Sequence, residues 1–253
     1  MAEVRPIPCE DLGSLAAPEL SAGKEVLAGQ IAGLRVLLYE VTAGQTVRTS
    51  ASESEGRVYI FVSGTGSIDG GDASHQISEI TFFAPAHNVP FSVTTTAPSL
   101  RFLELIVELS ETDLAELADN AAALPICLPY SECPTYRERI KSEKTVSRTL
   151  LAEHTFPRLC IGSVETTGDD RVAAHEHPML EQLFYGLEDN DCLVRADDAE
   201  LEFGEQHLLH IPLGSSHGVE VGAPRKLHYL WIDLFRDRKG MDWIVQEHLP
   251  EGE

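Results

Sequence analysis

Two histidines one residue apart, His175 and His177, mark the stretch best equipped for chemistry. Side chains alternate along an extended segment, so both rings point to one face and can serve one ion. A carboxylate and an amide follow at Glu181 and Gln182, just past Pro178, where the chain is expected to bend. A third histidine, His217, stands behind Pro212 and Gly214, at the start of another apolar run. Two nearby nitrogens, one side-chain oxygen and a remote third nitrogen suit one divalent transition metal, Mn, Fe, Ni, Co or Zn. Such a set leaves positions for water or substrate.

The elements that must position these groups read as strands. Leu34 to Val41, Val58 to Val62, Ile80 to Phe83 and Leu100 to Leu109 are β-like runs, broken by Gly44, Gly64, Gly66 and Pro85. Short strands between such turns predict an all-β barrel or sandwich. Ser110 then caps an expected helix with Leu114, Leu117 and Ala121 on one face, ended by Pro125. Residues 125–155 read as a solvated connector, although Tyr130, Tyr136, Arg137 and Arg139 have the reach to serve a neighbouring site.

Strands resume at Arg158 to Ile161, and the second half echoes the first. A shift of 125 positions carries Leu34 to Leu159, and also Val36 to Ile161, Glu40 to Glu165 and Thr42 to Thr167. The same shift sets Tyr59-Ile60-Phe61 over Phe184-Tyr185-Gly186, and Leu105 to Leu109 over Leu230 to Leu234, with slips of one or two residues near Pro85. The tail after Phe235 is expected to form a short helix that places Trp243 on a neighbouring surface.

The two histidine stretches resemble the paired signature motifs of the cupin superfamily. The first is His-x-His, then Glu, Gln or His after three or four residues, then Gly after six more. The second is Pro-x-Gly-x-x-His. Here His175, His177 and Gln182 match, with Asp189 where the family has Gly, and Pro212, Gly214 and His217 match the second. Counting back from the turn makes Gln182 the third ligand, with Glu181 as the alternative. Gly204 lies farther ahead of Pro212 than in the family pattern, which points to a bulge or a different strand entry.

Together with the internal echo, the resemblance implies a bicupin, two tandem cupin-type barrels (double-stranded β-helix, or jelly roll) with a short helical connector. The expected division is a lead-in at 1–30, barrel 1 at 31–110, a helical connector at 111–155, barrel 2 at 156–235 and a tail at 236–253. In barrel 1 the ligand positions fall on Ser50, Ser52, Arg57 and near Pro90, groups unable to assemble a metal site. Barrel 1 is therefore expected to be metal-free, with Arg57 ion-paired or facing an anion, and His75 and His87 are read as turn or surface residues. Barrel 2 is expected to hold the metal through His175, His177, Gln182 and His217. His207, His210 and His228 sit on strands expected to line the same barrel, where one would act as acid/base or support a ligand. Gly186 shares the Gln182 face by parity, which reads as room for a ligand or as a packing adjustment.

Bulk properties restrict partners. The chain has 253 residues, 43% of them apolar, which suffices for one large or two small domains. A net charge of −22 repels phosphate backbones and anionic headgroups, so no nucleic-acid or membrane partner is expected. The N-terminus lacks the pattern of a secretory signal. Cys9, Cys127, Cys133, Cys160 and Cys192 form no C-x-x-C pair and read as reduced thiols of a cytoplasmic protein. These readings lead to a metal-dependent enzyme on a small polar, carboxylated metabolite, by lyase, isomerase or hydrolase chemistry. A ligand-holding sensor and a dioxygenase are the alternatives, and a homodimer is the expected assembly.

Overall fold

The computed structural model describes residues 5–70, 73–137 and 141–248. Strands β1 (Cys9–Asp11) and β2 (Lys24–Val26) flank the short helix α1 (Ala17–Leu20). There follow β3 (Leu34–Thr42), β4 (Thr46–Arg48), β5 (Glu55–Ser63), β6 (Gly66–Gly70), β7 (Ala73–Ile77), β8 (Thr81–Ala84), β9 (Ser92–Thr95) and β10 (Ser99–Glu108). After α2 (Glu111–Asp119) come β11 (Ile126–Pro129), β12 (Thr135–Tyr136) and β13 (Val146–Phe156). The remaining strands are β14 (Leu159–Thr167), β15 (Asp170–His175), β16 (Leu180–Gly186), β17 (Asp191–Ala196), β18 (Ala199–Gly204), β19 (His207–Ile211), β20 (His217–Val221) and β21 (Lys226–Phe235), and helix α3 (Arg238–His248) closes the chain.

These elements form two compact units. One is Ser14–Cys133; the other joins Met1–Gly13 to Pro134–Glu253. In the first unit a sheet ordered β11-β8-β5-β10-β3-β2 faces one ordered β4-β9-β6-β7. The second repeats the plan, with β1-β19-β16-β21-β14-β13-β12 against β15-β20-β17-β18. Each unit is thus an antiparallel barrel of two sheets, and residues that point inward alternate with outward ones.

Two sheet edges depart from the sequence expectation. The lead-in supplies β1, which pairs with β19 through Cys9 opposite Leu209, so this stretch is part of the second unit's sheet. The connector supplies β11, which plays the matching part beside β8 in the first unit. Residues 146–155, read as connector, form with Phe156 the eleven-residue strand β13 along β14. Arg148, Glu153 and His154, all half-buried, interrupt its apolar pattern and hid it. Helix α2 does start at Ser110, whose hydroxyl accepts from the Asp113 amide while the Asp113 carboxylate accepts from the Ser110 amide.

The internal echo is present, with one correction. Leu103 lies between Ile60 and Leu38, and Leu230 lies between Tyr185 and Ser163. The match to Leu230 is therefore Leu103, not Leu105. An even slip leaves each side chain on its face, which is why the apolar pattern alone could not show it.

The interiors differ. In the first unit Tyr59, Phe61, Phe83, Phe91 and Phe102 fill the barrel, with ring centroids 4.8–6.4 Å apart. The second unit keeps Phe184, Phe203 and Tyr229 in contact and leaves a cavity of about 240 Å³ beside them.

Candidate metal centre

In the second unit His175 ends β15 and lies directly opposite His217 on β20. His177 follows in the turn before β16, and its carbonyl accepts from the Gly214 amide at 3.2 Å. That bond ties the two motifs together. Gly214 has φ +73, the left-handed region in which glycine is favoured. One nitrogen from each of the three rings lies within 4.8 Å of the others, as their sharing of one coordination sphere requires. Among the described residues they form the one group of three or more His, Cys, Asp or Glu side chains so arranged.

The protonation pattern fits metal binding. The Nδ1 of His175 donates to the Ala173 carbonyl at 2.8 Å, and that of His217 donates to the Ser215 carbonyl at 3.0 Å. A carbonyl only accepts, so each proton sits on Nδ1 and each Nε2 offers its lone pair. The Nε2 of His217 is buried and has no hydrogen-bond partner among the described residues. Burial first, and the neighbouring His175 second, push His217 down to about 4, which keeps the ring neutral at ordinary pH.

Strand parity separates Gln182 from Glu181. Gln182 lines the cavity with the three histidines and with Phe184, two residues along β16. Its Nε2 donates to Asp233 Oδ1 at 2.7 Å, and its Oε1 is buried with no hydrogen-bond partner among the described residues. A carboxylate can take only the NH₂ side of the amide, so Asp233 turns the oxygen to the remaining side. Glu181 points to the opposite face, where it accepts from His210 Nε2 at 2.9 Å and from the Leu213 amide at 3.0 Å. Asp189 adopts φ +63 at the turn, which a short polar side chain tolerates, so it stands for the usual glycine without moving the register.

The other histidines are not where the sequence reading set them. Tyr229, Trp231 and Asp233 of β21 face the cavity, so His228 faces away, bonded through Nδ1 to the Glu188 carbonyl. On β19 it is Leu209 and Ile211 that face the core, which turns His210 outward to Glu181. His207 bonds through Nδ1 to the Glu205 carbonyl at the strand start. None of the three lines the cavity. Gly186 is not space for a ligand either. A Cβ there would run into the Gly204 carbonyl, so glycine is required by a close backbone approach.

Several lining residues escaped the sequence reading. Asp233 is a lone acid in the alternation Leu227, Tyr229, Trp231, Asp233, and that alternation was the available signal. Cys160 also lines the cavity, and burial, with Asp233 and Glu153, holds its thiol well above the usual range. Tyr136 and Arg137 do reach the cavity, joined by Lys141, while Arg139 lies outside the described residues.

In the first unit the matching positions are spent otherwise. Ser50 and Ser52 lie outside the strands. Arg57, in place of Gln182, is ion-paired to buried Glu104 at 2.8 Å and to Glu55 at 2.5 Å, and Tyr59 donates to the same Glu104 oxygen.

No protein-family model and no curated protein matches this sequence. Solved structures do match. A cupin 2 conserved barrel domain protein from Leptotrichia buccalis aligns over 93% of this chain and 100% of its own, with a TM-score of 0.65 and 16% identity. The oxalate decarboxylase of Lactobacillus farciminis, solved as a formate complex, aligns over 93% of this chain and 88% of its own (TM-score 0.70, 12% identity). That of Bacillus subtilis, in a study of its Mn(II) centres, aligns over 94% and 79% (TM-score 0.69, 14% identity). The fold is that of the cupins, in the two-barrel bicupin layout. Identities this low speak for the fold alone.

Proposed function

We propose that His175, His177, His217 and the Gln182 amide oxygen hold one divalent transition metal in the second barrel. On this reading the protein is a metal-dependent enzyme acting on a small polar, carboxylated metabolite by lyase, isomerase or hydrolase chemistry. The observation that carries it is the convergence of three imidazole nitrogens within 4.8 Å on the wall of one cavity. Bound there, such a metal would supply Lewis acidity.

The chain's own residues do the rest. All four donors are neutral, so they leave an ion's double charge intact and favour an anionic group beside it. Phe184, Val172 and Val219 exclude water and lower the local dielectric, which strengthens every charge interaction at the site. Asp233 fixes the amide of Gln182 and is the buried carboxylate left at the wall to exchange a proton once the three histidines that do not line it are set aside. Support from relatives is limited to the oxalate decarboxylases, one of which has Mn(II) centres. Five free cysteines agree with a cytoplasmic setting, and no described helix is long and apolar enough to cross a membrane.

The test is elemental analysis of the purified chain, then incubation of metal-loaded and chelator-stripped protein with pooled carboxylated metabolites. Metal should copurify, and one metabolite should be consumed only by the loaded form. His175→Ala or His217→Ala should remove most of the metal, while Ser50→Ala and Ser52→Ala leave it in place. Full occupancy after His217→Ala would falsify the ligand set. A metabolite retained but unchanged would identify a sensor instead.

A further inference from the structure

The metal cavity carries charged residues beyond the ligands. Arg137 and Lys141 lie on its wall, as do Glu153 and Asp233. Both cations come from the segment ahead of β13, and the barrel fixes both. Tyr136, next to Arg137, pairs with Ser147 in the sheet, and Lys141 forms a bridge with Val172 of β15. The Arg137 guanidinium donates to the Glu143 carbonyl at 3.1 Å, a neutral acceptor. No carboxylate among the described residues pairs with it. Lys141 Nζ bonds the Ser147 hydroxyl at 3.3 Å and lies 5.8 Å from the centre of the Tyr136 ring.

Charge counting gives this arrangement a direction. The two cations and two carboxylates of the wall cancel, and the imidazoles and amide are neutral. A divalent ion then leaves the cavity doubly positive, inside a chain whose net charge is −22. In a partly enclosed site such an excess calls for a compensating anion. One anionic group belongs in the open positions of the ion. The other belongs on Arg137, whose planar fork matches a carboxylate edge to edge.

Resting on the metal reading above, we propose that the substrate is a dicarboxylate. One carboxylate is held at the ion, and the remote one is gripped by Arg137 with Lys141 beside it. Arg137 is then the residue that separates dicarboxylates from monocarboxylates.

Calorimetric titration of the metal-loaded full chain tests this, with malonate, succinate and glutarate against acetate and monomethyl succinate. The best dicarboxylate should bind at least about tenfold tighter than acetate or the monoester. Arg137→Gln should remove that advantage, Arg137→Lys should restore part of it, and neither should change metal content. Dicarboxylates no tighter than acetate, or an advantage that survives Arg137→Gln, would overturn the proposal while the metal reading stands. A wild-type chain that takes up no metal would sink both.

Discussion

Gln182 is a weak ligand by type, and its usefulness depends on which end of the amide faces the cavity. Asp233 decides that end. Asp233→Asn offers an amide in place of a carboxylate, and the preference for one orientation of Gln182 disappears. Metal affinity should fall by about 10–100-fold, as measured by competition with a chelator. Gln182→Glu alone would set two carboxylates together, whereas Gln182→Glu with Asp233→Asn restores a donor facing an acceptor and should recover binding. A double variant no better than Asp233→Asn would refute the orienting role. His217 yields a second prediction at this scale. Its folded value of about 4 lies below the ordinary 6.5 of the unfolded chain. In metal-free protein the stabilisation from the neutral ring is complete above pH 6.5 and is lost as pH falls toward 4, because the unfolded chain binds the proton first. Wild type should therefore lose on the order of 3 kcal/mol more than His217→Gln between pH 7 and 4, read from urea midpoints. The histidine pair and the Pro-Gly-His turn were legible because their spacing itself sets the geometry. His210 and His228 were misread because a sequence shows that a residue lies on a strand before it shows which face it takes, and His207 because it stands at the very start of its strand.

Elements supply that missing choice of face. Once β21 is known to present Tyr229, Trp231 and Asp233 inward, His228 must point out, and the register to β16 places Gln182 beside Asp233. The strands β3, β5, β8, β10 and β14 were legible from their apolar runs, whereas β1 and β11 were not, nor was β13, whose half-buried charges conceal a long pairing with β14. The even slip between β10 and β21 was illegible for a related reason, since period-two patterns look the same after a shift of two. Gly186 shows how parity can be right while the inference from it is wrong. It does share the Gln182 face, yet what it accommodates is the Gly204 backbone. Gly186→Ala should accordingly displace β16 from the turn after β18 and destabilise the protein by about 1–3 kcal/mol, the usual cost of overpacking. Chemical denaturation measures this directly. An unchanged midpoint together with altered ligand affinity would instead favour the pocket reading of that glycine.

For the whole molecule, two barrels built to one plan divide between packing and chemistry. The first spends its interior on five aromatic rings and an Arg57–Glu104 pair, and among the described residues no group of three metal-ligating side chains gathers there. The second gives up that filling, and its cavity lacks packing contacts until something occupies it. Occupancy and stability should therefore be linked at one site per chain. Titration of stripped protein should saturate at one ion, and the unfolding midpoint should rise with free metal, by about 4 kcal/mol at a thousandfold excess over Kd. Phe102→Ala, which hollows the first barrel, should cost about 3–5 kcal/mol and leave the stoichiometry at one. His217→Ala should do the reverse, with bound metal lost and the metal-dependent rise abolished. A second ion that persists in His217→Ala would place donors in the first barrel, and the division of labour between the two halves would fail.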